Sequence, residues 1–137
     1  MNAIIENLLT RRSTRAFLQK EIPDNELNEI LQAAIYAPSG MGKQTWKFTV
    51  LCNQEKIQQL AELIGRKLGR KGYDMYRPQV LIIPSNQKEN PHGMEDNACA
   101  LENIFLAAHS FGIGSVWINQ LRTLCDDPEV RALLDEF

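Results

Sequence analysis

The stretch APSGMGKQTWKF, residues 37–48, links an amphipathic segment to a run of β-forming residues. Before it, apolar side chains recur at helical spacing from Leu27 to Ile35, and Pro38 ends that helix. After it, the alternating segment WKFTVLC, residues 46–52, predicts a strand. The two glycines between them either only shape a turn or let the backbone lie flat against a planar molecule. The stretch therefore predicts a helix, a loop and a strand, and leaves the role of the loop open.

Outward from this unit, helical and strand patterns continue to alternate. Helices are predicted at residues 2–10, 24–37, 54–69 and 94–111, with a last helix capped by Asp127 and begun by Pro128. Strands are predicted at residues 46–52, 79–85 and 114–119. This order predicts a single layered α/β or α+β domain over residues 1–137.

Several local features carry expectations of their own. The first helix should bury an apolar stripe: Ile4, Ile5, Leu8 and Leu9. Asp24 should be the N-cap of the second helix, and Gly112 the C-cap of the long fourth one. The nearly continuous apolar run QVLIIPS should be a strand covered on both faces.

The composition excludes several classes of protein. Hydrophobic residues make up 44% of the chain and the net charge is −2, values that do not suit a disordered chain or a general binder of nucleic acid or membrane surfaces. No apolar run approaches the roughly 20 residues of a membrane span. The three cysteines are widely spaced and form no CxxC pair, which predicts reduced thiols and a cytoplasmic location.

The segment RRSTR places three arginines beside two hydroxyl groups immediately after the first helix. Guanidinium groups bind phosphate oxygens in a bidentate fork, and hydroxyl and loop N–H groups can complete such a site. Alternatively, the arginines only form a solvated basic helix end that complements the helix dipole. Both interpretations stand on this segment alone.

The loop PSGMGKQTW contains polar side chains and the apolar side chain of Met41 close together in the sequence. Ser39 and Gln44 could bond the polar edge of a ring, and Met41 could pack on its face. As a plain helix-to-strand connection, it would need its glycines only for turn geometry.

No motif predicts a catalytic side chain or a metal site. His92 and His109 lack partners at ligand spacing, and the acidic residues Glu95 and Asp96 are explained by the dipole of the helix they begin. With no acid, base, nucleophile or metal cluster, any reaction requires a cofactor.

Four segments together resemble the nitroreductase-like flavoproteins, which bind FMN at the interface of a homodimer. They are RRSTRAF, APSGMGKQTWKF, RPQVLIIPSN and DNACALENIFLAAHSFGIGSVWIN, in this order between residue 5 and about residue 120. The resemblance implies an α+β fold, a three-layer α/β sandwich in which helices flank a central mixed or antiparallel sheet. It also implies a homodimer.

The resemblance implies a flavin site made of three groups of residues. Arg11, Arg12, Ser13 and Arg15 match the motif that holds the phosphate, the ribityl chain and the pyrimidine edge. The loop that reaches FMN across the dimer interface matches Pro38, Ser39, Gly40 and Met41, followed by the polar position Gln44. The strand end beside the isoalloxazine matches Trp117, Ile118 and Asn119.

The implied activity is an FMN-dependent NAD(P)H oxidoreductase. NADH or NADPH would pass hydride to flavin N5 and leave, and a nitroaromatic, quinone or similar flat electrophile would take its place in a ping-pong reaction. Two alternatives stay open at this point. One is a flavin-binding or partner-binding protein without turnover, and the other is a dehydrogenase or dehalogenase of the same fold.

The sequence also departs from the family pattern. Gly42 stands where an Asn is common, and Thr45 stands where a Pro is common, on the loop that borders the open face of the flavin. Family members also continue beyond the position of Phe137. We therefore expect that the chain lacks the usual C-terminal extension, which supplies a strand and a basic residue to the partner.

Overall fold

The computed structural model describes residues 1–137. Its helices are α1 (Ala3–Thr10), α2 (Asp24–Ile35), α3 (Gln54–Leu68), α4 (Gly93–Ser110), α5 (Gln120–Leu124) and α6 (Pro128–Glu136). Its strands are β1 (Lys47–Leu51) and β2 (Leu81–Ser85), and a 3₁₀ turn, Gly40–Gly42, lies between α2 and β1. The chain divides into two compact units. Residues 1–14, 21–49 and 83–116 form the first unit, and residues 15–20, 50–82 and 117–137 form the second.

In the first unit, α2 packs against α4. The amide of Asn103 on α4 donates to the carbonyl of Ala33 on α2 at 2.9 Å, which fixes the register of the two helices. Alanines on both helices allow their backbones to approach closely. The buried apolar residues of the two helices are Ile30, Ala34, Ala100, Ile104 and Ala108.

Helix α1 contacts α4 in the same unit, and Asn7 Nδ2 donates to the carbonyl of Leu106 at 2.9 Å. The prediction that α1 buries its apolar stripe is wrong, since no residue of α1 is buried. The exposed fractions are 73% for Ile4, 42% for Ile5, 45% for Leu8 and 59% for Leu9. Helical periodicity identifies an apolar face but does not say what covers it.

In the second unit, α3 supplies most of the core. Its buried residues are Ile57, Leu60, Ala61, Leu63, Ile64 and Gly65, and Val130 and Leu133 of α6 are also buried. Lys67 Nζ lies 3.1 Å from Asp127 Oδ2 and 3.0 Å from Glu129 Oε2 at the start of α6. Asp127 also accepts the N–H groups of Glu129 and Val130, so the predicted cap of the last helix is confirmed.

Two other predicted helix ends are shifted by one residue. Pro23 is the N-cap of α2, and Asp24, the predicted cap, is its first helical residue and lies near the positive end of the dipole. At the end of α4 the C-cap is Phe111, and Gly112 follows it with a left-handed φ of 73°. Ile113 N–H donates to the carbonyl of Ala108 at 2.9 Å, so Gly112 closes a Schellman turn.

The strands form less sheet than predicted. β1 and β2 pair in a two-stranded antiparallel sheet, and Leu81–Pro84 of β2 are half-buried rather than covered on both faces. The predicted strand at residues 114–119 is wrong, because only an isolated parallel bridge between Ser115 and Ser13 forms there. A strand needs a ladder of paired residues, which a single bridge does not supply. The short helix α5 was not predicted.

Candidate functional site

The RRSTR segment directly follows α1, and its residues 11–14 belong to the first unit. Arg11 is the C-cap of α1, and Thr14 N–H donates to the carbonyl of Ser115 at 2.9 Å. A Cβ on Gly114 would lie only 2.7 Å from Thr14 Oγ1, so this close approach requires glycine. The segment is therefore held beside the chain that follows α4.

The arginines of this segment differ in what they contact. Arg12 Nη1 donates to the carbonyls of Leu9 at 2.9 Å and Arg11 at 2.8 Å, so Arg12 caps the end of α1. No intramolecular hydrogen bond or ion pair engages the guanidinium groups of Arg11, which is half-buried, or of Arg15, which belongs to the second unit. The helix-end interpretation thus describes Arg12, and the other two arginines keep all their donors available.

The loop from Pro38 to Gln44 adopts an unusual backbone in the first unit. Met41, Gly42 and Gln44 have positive φ angles of 56°, 63° and 49°. Non-glycine residues rarely adopt this conformation and keep it only where the surroundings hold them there. Met41 is 84% exposed, so the loop presents its tip to solvent.

Asp96, in the first turn of α4, holds this loop. Its Oδ2 accepts the hydroxyl of Ser39 at 2.6 Å, and its Oδ1 accepts the N–H of Gly40 at 2.8 Å. These two bonds hold the pKa of Asp96 below its ordinary value, and the bond from Ser39 has the larger effect. Nearby His92 also lowers this pKa. Only 3% of Asp96 is exposed. The helix-dipole explanation of this residue was therefore incomplete.

A second set of hydrogen bonds fixes the other end of the loop. Thr45 Oγ1 donates to Asn86 Oδ1 at 2.6 Å and accepts from Asn90 Nδ2 at 2.7 Å. Asn86 Nδ2 in turn donates to Asn97 Oδ1 on α4 at 3.0 Å. Thr45, which replaces the family's common Pro, is thus the link between the loop and the segment before α4. Sequence reasoning missed these asparagines because no short motif joins them.

The two glycines of the loop serve different purposes. A Cβ on Gly40 would lie 2.7–2.8 Å from Cδ2, Cγ and Cβ of His92, so His92 of the same chain already occupies that space. A Cβ on Gly42 would meet nothing within 4 Å, and its φ of 63° explains glycine there. Only Gly42 therefore has an open side at the position where a Cβ would stand.

The third predicted group, Trp117, Ile118 and Asn119, belongs to the second unit with Arg15. It precedes α5 and does not form a strand end. Trp117 is 49% exposed, and its Nε1 donates to Asn119 Oδ1 at 3.2 Å. About half of the surface of Trp117 is therefore open to solvent.

A groove elsewhere in the second unit contains none of the predicted residues. It has a volume of about 1120 Å³ and runs between α3 and residues 69–77. Its charged lining mixes Arg66, Arg70, Lys71 and Arg77 with Glu55, Glu62 and Asp74, so it favours neither sign. In the whole chain no three His, Cys, Asp or Glu residues are placed to hold a metal ion, and no helix has the length and apolar character to cross a membrane.

Residues 8–135 match the model of the nitroreductase family. A crystal structure of a nitroreductase with bound FMN from Bacteroides fragilis is 46% identical to this chain, with a TM-score of 0.95. The match covers 99% of this chain and 80% of that one.

Two curated relatives are more distant. A provisionally named NADH dehydrogenase/NAD(P)H nitroreductase from Methanothermobacter thermautotrophicus is 32% identical over 115 residues, which form 83% of this chain and 59% of the relative. An NADPH-flavin oxidoreductase from Vibrio harveyi is 29% identical over an alignment 133 residues long, which covers 89% of this chain and 55% of the relative. The chain thus spans less than two thirds of the length of these relatives.

Proposed function

The chain belongs to the nitroreductase family, and on that basis we propose that it is an FMN-dependent NAD(P)H oxidoreductase. The family and the fold expected from the four sequence segments are both confirmed. The observation that carries the proposal is the similarity to the Bacteroides fragilis nitroreductase, whose crystal structure contains FMN, over 99% of this chain. The names of the two curated relatives add NADH or NADPH as the reductant.

The chemistry of three side chains, each taken by itself, suits the phosphate of FMN. Arg11 and Arg15 carry guanidinium groups that no other group of the chain engages, and Ser13 adds an exposed hydroxyl next to Arg11. Charge-assisted hydrogen bonds from arginine to phosphate are among the strongest in proteins. We therefore assign these three residues to the phosphate end of FMN, and give Arg12 a smaller part because it already caps α1.

The loop from Pro38 to Gln44 and the segment from Trp117 to Asn119 would border the ring. The open side of Gly42 and the exposed Met41 suit contact with a planar group. Bound FMN would supply the redox chemistry, accepting hydride at N5 and passing electrons to an acceptor. The side chains named here bind and orient, and none of them is assigned an acid, base or nucleophilic role.

We propose nitroaromatics, quinones and similar flat electrophiles as acceptors in a ping-pong reaction. Glycine at position 42 leaves this border without the side chain of the family's usual Asn. A small, open border favours acceptors of varied shape over a single tightly enclosed one.

We also propose that the protein works as a homodimer. The apolar side chains of Ile4, Leu8 and Leu9 are between 45% and 73% exposed on one helix. A contiguous apolar surface of this kind is typical of a protein interface. A partner subunit would cover α1, and each loop of residues 38–44 would then serve the flavin of the neighbour.

The proposal is tested by the visible spectrum of the purified protein, supplemented with FMN and then treated anaerobically with NADH or NADPH. We expect a yellow protein that either nucleotide bleaches, and reoxidation when a quinone is added. A protein that binds FMN but is bleached by neither nucleotide would favour a binding protein without turnover. A protein that takes up no FMN would overturn the proposal.

A further inference from the structure

A single carboxylate, that of Asp96, joins the loop of residues 38–44 to the start of α4. It accepts the Ser39 hydroxyl at 2.6 Å through one oxygen and the Gly40 N–H at 2.8 Å through the other. Because only 3% of Asp96 is exposed, water competes poorly for these bonds. Asp96 therefore fixes the first half of the loop.

The Ser39 hydroxyl carries the same constraint to the far side of the loop. While its proton is donated to Asp96, its oxygen accepts the N–H of Gln44 at 2.9 Å. The carbonyl of Ser39 also accepts the N–H of Gly42 at 2.9 Å. Asp96 thus bonds residues 39 and 40 directly, and Ser39 in turn bonds residues 42 and 44.

The backbone of this loop needs such support. Met41 and Gln44 are non-glycine residues with φ angles of 56° and 49°. Residues in this region persist when surrounding contacts hold them there, and they concentrate at binding sites. A loop held in advance in its binding shape also loses less entropy when a ligand arrives, which raises affinity.

We propose that Asp96 is a positioning residue that preorganises residues 39–44 for the flavin without contacting it. Both carboxylate oxygens bond the loop and only 3% of Asp96 is exposed, so Asp96 would act on a ligand through Ser39 and Gly40. This inference rests on the proposed function, since the flavin is the ligand that the loop is prepared for. It also predicts a measurable effect before any flavin is added.

The test compares Asp96→Ala and Asp96→Asn with Glu95→Ala. Glu95 is the neighbouring carboxylate in the same first turn of α4 and is exposed, so its removal controls for lost charge at the helix N-terminus. The Asn variant keeps the size of the side chain and one acceptor oxygen, which guards against a variant that fails to fold. Two quantities are measured: amide hydrogen exchange in the flavin-free protein, and the Kd of FMN from fluorescence quenching.

We expect amide exchange at Gly40 and Gln44 to rise about tenfold or more in Asp96→Ala, with no change at Ala100 and Ile104 in the body of α4. The Kd of FMN should rise roughly 10- to 100-fold in the same variant, as for the loss of hydrogen bonds to a charged group. Asp96→Asn should fall between Asp96→Ala and wild type. Glu95→Ala should stay within about twofold of wild type in both measurements.

Three outcomes would overturn the inference. One is unchanged exchange in the loop of Asp96→Ala. Another is faster exchange spread equally through α2 and α4, which would make Asp96 a general structural residue. The third is a more mobile loop with unchanged FMN affinity. If the wild-type protein binds no FMN, the proposed function fails instead, and the exchange data alone then decide whether Asp96 orders the loop.

Discussion

The substitution Gly40→Ala tests the structure of the candidate site at one atom. At ideal geometry on the existing backbone, the new Cβ would lie 2.7, 2.7 and 2.8 Å from three atoms of His92, where ordinary contacts are 3.4–4 Å. His92 cannot relieve this by rotating its ring alone, because its own Cβ is one of the three atoms. Either the loop or the segment before α4 must move.

The expected cost follows from two opposing effects. Overpacking of this kind destabilises by about 1–3 kcal/mol. Replacing glycine at a residue without a left-handed φ stabilises by about 0.4–1 kcal/mol through the unfolded chain. The net loss in the free energy of unfolding should therefore lie between about 0 and 2.6 kcal/mol, with a midpoint of roughly 1.3 kcal/mol. Urea unfolding followed by tryptophan fluorescence measures it.

The same substitution made in a His92→Gly variant shows whether contact with His92 causes the loss of stability. In His92→Gly the three clashing atoms are gone, and Gly40→Ala should then be neutral or slightly stabilising. Gly42→Ala is the matched control, since its Cβ meets nothing within 4 Å. Its left-handed φ should cost about 1–2 kcal/mol in both backgrounds. An equal cost of Gly40→Ala with and without the His92 side chain would refute the reasoning.

Three further predictions concern flavin binding, pH and the core. Changing Arg11 and Arg15 together to Ala should weaken FMN binding by several kcal/mol, since each charged hydrogen bond contributes about 1.5–3 kcal/mol. Arg12→Ala should weaken it less. Equal losses for the two variants in a titration with FMN would contradict the assignment. The hydrogen bonds from Ser39 and Gly40 hold the pKa of Asp96 below its ordinary value, so its contribution to stability is fully present above that ordinary value and is lost as the pH falls through the lower folded-state pKa. Acid unfolding of Asp96→Asn should accordingly show a shallower loss of stability below about pH 4. Leu60→Ala, at a side chain with 0% exposure, should lower the free energy of unfolding in urea by about 2–5 kcal/mol.

Helices and their ends could largely be predicted because their signals are local. The period of apolar residues located α3 and α4 to within one residue at each end. Asp127 and Pro128 sit beside the backbone groups that they serve, so their roles at the start of α6 were visible in the sequence. Even the shifted prediction at Gly112 identified the correct turn, because a left-handed residue after a helix is most often glycine.

Features that depend on a distant partner could not be predicted in this way. The segment GSVWIN has the composition of a strand, but it can form one only if a neighbouring strand pairs with it along several residues. Here only Ser13 pairs with Ser115. The apolar face of α1 was visible, but its exposure depends on what packs against it. Composition shows which structure a segment is able to form, and the contacts with other segments determine whether that structure forms.

The same distinction applies inside the candidate site, where Asp96 is the clearest case. An acidic residue in the first turn of a helix needs no further explanation, because the dipole favours it wherever it occurs. The contacts that distinguish Asp96 from Glu95 come from Ser39 and Gly40, which lie more than 50 positions earlier in the chain. These contacts exist because α2 and α4 pack together. No periodicity or short motif could connect the two segments. The serine and glycines of the loop led to the prediction of a ligand site there, whereas the residue that holds the loop in shape became identifiable only once the helices were placed.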